Sequence, residues 1–422
     1  MKSNKLFLYI YILLFIFVPI FLPCSSQADY LDNWAWVSSG TTENLYGIAF
    51  GNSTFVTVGG NGRIRISSDY GTNWTFPDTT ATTNYLYQVT YGNGTFIAVA
   101  ERTLDNHENI VRSSNKGLDW TSINVVSPPP NPPPPNPNYP LLWGITYANG
   151  KFVAVGGGNN IYISEDNGAN WTSEELETAC NLYGIAYGNS TLVAVGNEGK
   201  ILTRADGCTI TYPEVETCWI PRFSGANSLQ GVAFGNGRFV AVGMGGTILL
   251  STDNGQTWTS ETSGYTDNLW GVTYGNDTFV AVGNNGIILT SPDGETWVWR
   301  NSGSNEHLNE VAFCTSRFIA VGSNGTILID GPEDPVRFWR AHWPYFTSIQ
   351  QAYDDQYLAE GEIIQCKAVE FKEDLTFDDP VSITLAGGYD DNYSAGNRTQ
   401  TIVNGTMTIS SGTVVVENIV IQ

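Results

Sequence analysis

Positive charge is scarce in this chain. Only 19 lysines and arginines stand against 41 aspartates and glutamates, a formal net charge of −22. That balance excludes nucleic acid and an anionic membrane surface as natural partners, while solubility and cationic ligands remain compatible with it. Histidine is scarcer still. His107, His307 and His342 are far apart in sequence and suggest no catalytic triad. The six cysteines form no CxxC pair and no Cys/His spacing typical of zinc, so no metal and no cofactor is expected. Charged residues are few overall, at 14%, which argues against long solvated helices. What is abundant is glycine (45 residues) and aromatics (13%), the mixture of short strands joined by tight turns.

Long apolar runs are absent except at one place. Leu6–Leu22 is continuously apolar apart from Pro19, follows Lys2 and Lys5, and precedes Ser26-Gln27-Ala28. This reads as a signal peptide over 1–28 and predicts export: secreted, periplasmic or cell-surface. Two other fates are open, a lipidated Cys24 and an uncleaved N-terminal anchor, the only membrane attachment foreseen. Export permits disulfides. Cys208 and Cys218 bracket a short excursion and are the expected bridge; partners for Cys180, Cys314 and Cys366 stay open.

Self-similarity dominates the rest. The phrase LWGVTYGNDTFVAVGNNGIILTSPDGETW (Leu269 to Trp297) has relatives aligned at Gly47, Gln88, Gly144, Gly184, Gly231, Gly271 and Glu310. Each unit reads as four strands: two alternating strands joined by a Gly-Asn turn, a third after a second Gly/Asn turn, and a fourth opening on Trp. Units of about 40 residues with four strands are the mark of a β-propeller blade. The last unit stops at Asp330-Gly331-Pro332 with no Trp strand, whereas an orphan Trp strand stands at Asn33–Gly40, NWAWVSSG. The expected fold is therefore all-β: a seven-bladed β-propeller over 29–335, its last blade completed by the N-terminal strand. Such a clasp removes two open sheet edges.

The turn between third and fourth strands carries Ser-x-Asp-x-Gly-x-x-Trp. It is complete around Asp69/Trp74, Asp166/Trp171 and Asp253/Trp258, one residue short at Asp293/Trp297, near-complete at Asn115/Trp120 and degraded at Asp206-Gly207. This resembles the Asp-box, or bacterial neuraminidase repeat. The whole unit, as in FVAVGMGGTILLSTDNGQTW, is similar to repeats of the photosystem II assembly/stability-factor propellers and their bacterial relatives. The resemblance implies that the boxes are peripheral and structural. It also implies that any ligand sits on the face shared by the second-to-third turns and the connections between blades.

On that face two loops are elaborated, residues 101–109 with Arg102 and His107, and the polyproline linker 127–140. The residue entering each inner strand is Tyr46, Tyr87, Trp143, Tyr183, Gln230, Trp270 and Asn309. Five of these are aromatic, and they have two readings: a ring around the central opening that takes a protein or glycan ligand, or wedges of core between blades. A sialidase would need an arginine cluster for a carboxylate. The family's early Arg-Ile-Pro is missing, and Trp219-Ile220-Pro221-Arg222 is reordered. The expected role is thus a non-catalytic binding, assembly or surface scaffold, with a glycan-acting hydrolase as the alternative and the oligomeric state open.

After Pro335 the repeat ends. Residues 336–422 read as a short helix near 348–358 followed by Gly- and Asn-broken strands, and resemble the start of a right-handed parallel β-helix. The acidic pairs Asp354-Asp355, Asp378-Asp379 and Asp390-Asp391 are read as solvated turns in preference to Ca²⁺ ligands, because no regular loop with Gly spacing is present.

Overall fold

In a computed structural model of the chain, seven antiparallel sheets follow one another along the sequence, and the inner strand of each packs against the next until the seventh returns to the first. The structure describes Leu31 and 34–330, except for 78–81, 101–109, 124–140, 209–217 and positions 159, 178, 224, 226 and 315–316. Beyond 330 it describes scattered strands and the helical positions Ile349 and Tyr353. The leader, Cys24, Arg102, His107, the polyproline linker and the three acidic pairs lie outside the described residues.

The repeat fixes the elements locally. In blades one to six the first hairpin turns on Asn with positive φ (Asn52, Asn93, Asn149, Asn189, Asn236, Asn276), and the following residue is also left-handed. Two such residues make the turn whose twist matches the flanking strands. The second strand is buried at every position in Thr54–Gly59 and Thr191–Gly196, and at every position after the first in Lys151–Gly156, Arg238–Gly243 and Thr278–Gly283. It lies mid-sheet with a neighbouring blade on either face, hence Phe-Val-Ala-Val in place of apolar/polar alternation.

The seventh blade draws on both ends of the propeller. Strand Trp34–Ser38 pairs antiparallel with Thr326–Asp330, from Trp34 opposite Asp330 to Ser38 opposite Thr326. Trp34 and Leu31 are buried against Val280, Val282 and Phe318, and the Trp34 indole donates to the Leu31 carbonyl at 2.9 Å. The strand's exit is tied to blade one by buried Arg65, which donates to the carbonyls of Ser39 (2.7 Å) and Gly40 (3.3 Å) beneath the Phe76 ring.

The outer strands correct one detail of the sequence reading. The box tryptophans do not open the fourth strand. Trp258 stands in the turn, and its strand is Thr259–Glu261, starting where Thr259 pairs with Leu250. Trp171 precedes Thr172–Glu175 and Trp297 precedes Val298–Arg300 in the same way. The box indoles donate back to a turn carbonyl; from Trp258 the N–H reaches the Gly255 oxygen at 3.0 Å.

Blade one departs further from the four-strand expectation. Its sheet has three strands, Leu45–Gly51, Thr54–Gly59 and Ile64–Ser67, and the Trp74 segment contributes only a single bridge, Ile66 to Thr75. Pro77 stands two residues later, where it has no N–H to extend a ladder. Arg65 Nη1 caps the Ile64 carbonyl instead, at 2.8 Å.

Past the propeller, three parallel ladders are formed. Glu362–Lys367 pairs with Ser382–Tyr389 and that with Thr413–Glu417. Glu370–Phe371 pairs with Thr401–Val403 and that with Ile419–Ile421; Leu375–Phe377 pairs with Met407–Ile409. Ile349, Tyr353, Ile364, Leu375, Phe377 and Leu385 close over one apolar core.

Candidate functional site

Each inner strand contains the same irregularity. In blade one, Leu45 pairs with Gly59 and Gly47 with Val58, leaving Tyr46 without a cross-strand partner. The register slips at the equivalent residue in all seven blades. A bulge of this kind bends the strand and re-aims one side chain. Here the re-aimed residues are Tyr46, Tyr87, Trp143, Tyr183, Gln230, Trp270 and Asn309, and all seven line one cavity of about 390 Å³ on the propeller axis.

The aromatic residues entering the strands are half-buried, outside the interblade clusters, and hold one another in place. The rings of Tyr46 and Tyr87 are 5.9 Å apart, and those of Trp143 and Tyr183 5.2 Å. The Trp270 indole donates to Asn284 Oδ1 at 2.7 Å, in the second-to-third turn of its own blade. Asn309 Nδ2 donates to the Leu45 carbonyl at 2.7 Å across the blade seven/one junction.

The next residue along the axis is glycine in five blades, for a reason of space. A Cβ on Gly144, Gly184 or Gly231 would come within 2.8, 2.8 and 2.9 Å of the carbonyl oxygen of the neighbouring blade's bulged residue. Two blades break the rule with Gln88 and Glu310. Gln88 Nε2 donates to Glu310 Oε2 at 2.6 Å, reaching past Gly47, where a Cβ would lie 2.6 Å from Gln88 Oε1. Glu310 Oε1 accepts the Val311 N–H at 3.0 Å. Burial pushes the Glu310 carboxyl up to about 7, against the opposing effect of the hydrogen bonds from Val311 and Gln88. Among the described lining residues it is the one acid, and none is Lys, Arg or His. Gln88 and Glu310 were not foreseen as site residues. The signal was present, since they are the two departures from a glycine column.

The Ser-x-Asp-x-Gly-x-x-Trp turns do other work. In blade three, Asp166 Oδ1 accepts the Asn170 N–H (2.8 Å) and the Ser164 hydroxyl (2.9 Å), and Trp171 donates to the Gly168 carbonyl. The same pattern recurs around Asp69/Trp74 and Asp293/Trp297. In blade five, Asp253 Oδ1 accepts the Thr257 N–H and the Ser251 hydroxyl, both at 2.9 Å. Trp258 is half-buried there, not a core residue, and packs against the cluster of Val193, Phe239 and Leu249 between blades four and five. The Asn170 N–H, with its side-chain amide, holds the Asp166 carboxyl down at about 2. Gly71 and Gly168 lie against Ile319 and Ile97 of the preceding blade, with no room for a side chain. The turns are thus spacers between blades, and none lines the axial cavity. In blade four, where the motif is degraded, Cys208 and Cys218 are disulfide-bonded and Trp219 is buried at the junction with blade three.

Three of the described arginines are engaged by neighbouring side chains. Arg204 pairs with Glu174 at 2.9 Å, Arg238 with Glu295 at 3.0 Å, and Arg300 Nε donates to Thr290 Oγ1 at 2.9 Å. Among the described residues, no three His, Cys, Asp or Glu side chains gather where a metal ion would sit.

No protein-family model matches the chain, and no curated protein sequence matches it. Solved structures do. YCF48 from Cyanidioschyzon merolae superposes with a TM-score of 0.55 at 19% identity, over 71% of this chain and 99% of that one. A structure of YCF48 bound to D1 peptide gives 0.56 at 19% identity, over 71% and 96%. Virginiamycin B lyase from Staphylococcus aureus gives 0.58 at 14% identity, over 71% and 99%. At these identities the likeness establishes the propeller fold.

Proposed function

We propose that this protein is a non-catalytic binding propeller that takes a segment of a partner protein at its axial cavity. One observation carries the reading: seven bulged residues, five of them aromatic, converge on a single cavity with polar groups at Gln230, Asn309, Gln88 and Glu310. Rigid aromatics with a few placed polar groups are what a recognition pocket needs. A single half-buried carboxyl without a second acid or an arginine beside it offers neither the paired carboxylates of glycoside hydrolysis nor a carboxylate clamp. A propeller of the same fold has been captured with a peptide, YCF48 with D1 peptide.

Around this core reading, the turn motif is taken as an Asp-box. The three parallel ladders are taken as the first rungs of a right-handed β-helix, which makes the C-terminal region a surface-presentation module on an exported protein. The test is a combined peptide and glycan array probed with the purified protein, alongside turnover of fluorogenic glycosides. Selective retention of peptides is the expected result. Robust glycoside hydrolysis, or retention confined to glycans, would overturn the reading.

A further inference from the structure

We propose that the axial cavity is a receptor for an alkylammonium group, such as a lysine side chain presented by the partner segment, with Glu310 as its counter-charge. The inference deepens the protein-binding reading above and rests on it.

The argument begins with Glu310. Its carboxyl lies at the axis, held by two hydrogen bonds, one from the Val311 N–H and one from Gln88 Nε2. An ionised carboxylate accepts about four, so acceptor capacity is left over. A carboxylate drawn partly out of water with no cation beside it is costly, and among the described residues the lining supplies none. The missing positive charge is therefore the ligand's to bring. What surrounds the carboxyl suits that ligand. Tyr46, Tyr87, Trp143, Tyr183 and Trp270 line the same cavity, and the faces of Trp and Tyr attract cations. The amides of Gln230 and Asn309 complete the rim, with the Asn309 carboxamide oxygen a further acceptor. The two residues that replace glycine on the axis are the two that place a carboxyl and its orienting amide there. A chain with net charge −22 adds a long-range attraction for cations.

The state of the carboxyl makes the pocket sensitive to acidity. Its proton affinity, raised toward neutrality by burial, means that it carries charge above about pH 7 and loses it below. Cation binding should therefore strengthen from pH 6 to pH 8. The other titratable side chains among the described lining residues are the phenols of Tyr46, Tyr87 and Tyr183. The same profile measured in Glu310→Gln separates their contribution.

The probes are Nα-acetyl-lysine methylamide and its Nε-acetylated analogue, which is longer and uncharged. Binding is read by calorimetry and by quenching of tryptophan fluorescence, on the full protein and on the Glu310→Gln and Trp143→Leu variants, each checked for an unchanged far-ultraviolet spectrum. The charged probe should bind, and the acetylated one should bind about tenfold more weakly or not at all. Glu310→Gln should lose about tenfold in affinity at pH 8 and lose the pH dependence. Trp143→Leu should weaken binding severalfold while keeping that dependence. Equal binding of the two probes overturns the proposal, as does an unaltered affinity or a surviving pH profile in Glu310→Gln. If the lysine probe fails while array peptides are retained, the cation receptor falls and the protein-binding reading stands. If neither binds, both fall.

Discussion

Asp166 shows how one carboxylate fastens a turn. Its carboxyl is held down at about 2, chiefly by the backbone and side-chain donors of Asn170; Asp253 and Asp293 shift the same way, where hydrogen bonds outweigh the upward effect of burial. A depressed acid contributes stability that is fully present above its unfolded value near 3.9 and disappears as pH falls through the folded value. The melting temperature should therefore drop between about pH 4 and pH 2, and Asp166→Asn should flatten part of that drop; an unchanged acid limb would assign it elsewhere. Glu310 has the opposite sign. With its carboxyl raised to about 7 by burial, ionisation costs stability as pH climbs from the unfolded value near 4.3 through 7. Glu310→Gln should raise the melting temperature at pH 8 and leave it unaltered at pH 4. On the same axis, Gly231→Ala places a Cβ 2.9 Å from the Trp270 carbonyl oxygen and should cost about 1–3 kcal/mol by denaturant titration.

At the scale of elements, periodicity was legible and interruption was not. The Leu-aromatic-Gly phrase locates each inner strand, and the aromatic column could be written down from the repeat alone. That these residues sit at bulges, and so turn toward the axis, depends on a pairing register no single strand displays. The Gln88–Glu310 pair joins blades two and seven, 222 residues apart; the repeat marks both as exceptions without showing that they meet. The fourth strand of blade five starts at Thr259, one position after Trp258, a boundary that residue types alone do not display. Blade one kept its Trp motif, yet among the described residues the segment after it contributes a single bridge. The closing strand carries the clearest test. Trp34→Ala removes its buried anchor and should cost about 3–5 kcal/mol, and deleting 33–40 should destabilise the whole ring. A truncation that melts like the parent would refute the closure. Reducing Cys208–Cys218, which closes a loop with a sequence separation of 10, should cost about 2–3 kcal/mol.

Across the whole molecule, stability and recognition are assigned to different layers. The box turns and the largely buried second strands hold blade to blade, whereas the bulged column meets the cavity. Trp270→Ala should accordingly weaken partner binding with a melting temperature within a few degrees of the parent. Loss of the folded state would show the column to be core after all.

The clasp also sets a timetable. Trp34 pairs with Asp330, so the first strand made must wait for the last blade. At ribosomal rates of about 5–20 residues per second, the roughly 300 residues between them take on the order of 15–60 seconds to appear. Throughout that interval the strand is unmatched, and Thr326–Asp330 has no outer neighbour until the end. The nascent ring can assemble blade by blade, but it cannot be locked before its seventh blade is complete. Any pause or premature stop upstream of Asp330 therefore yields an open arc with a waiting edge, the form most prone to pair with another chain.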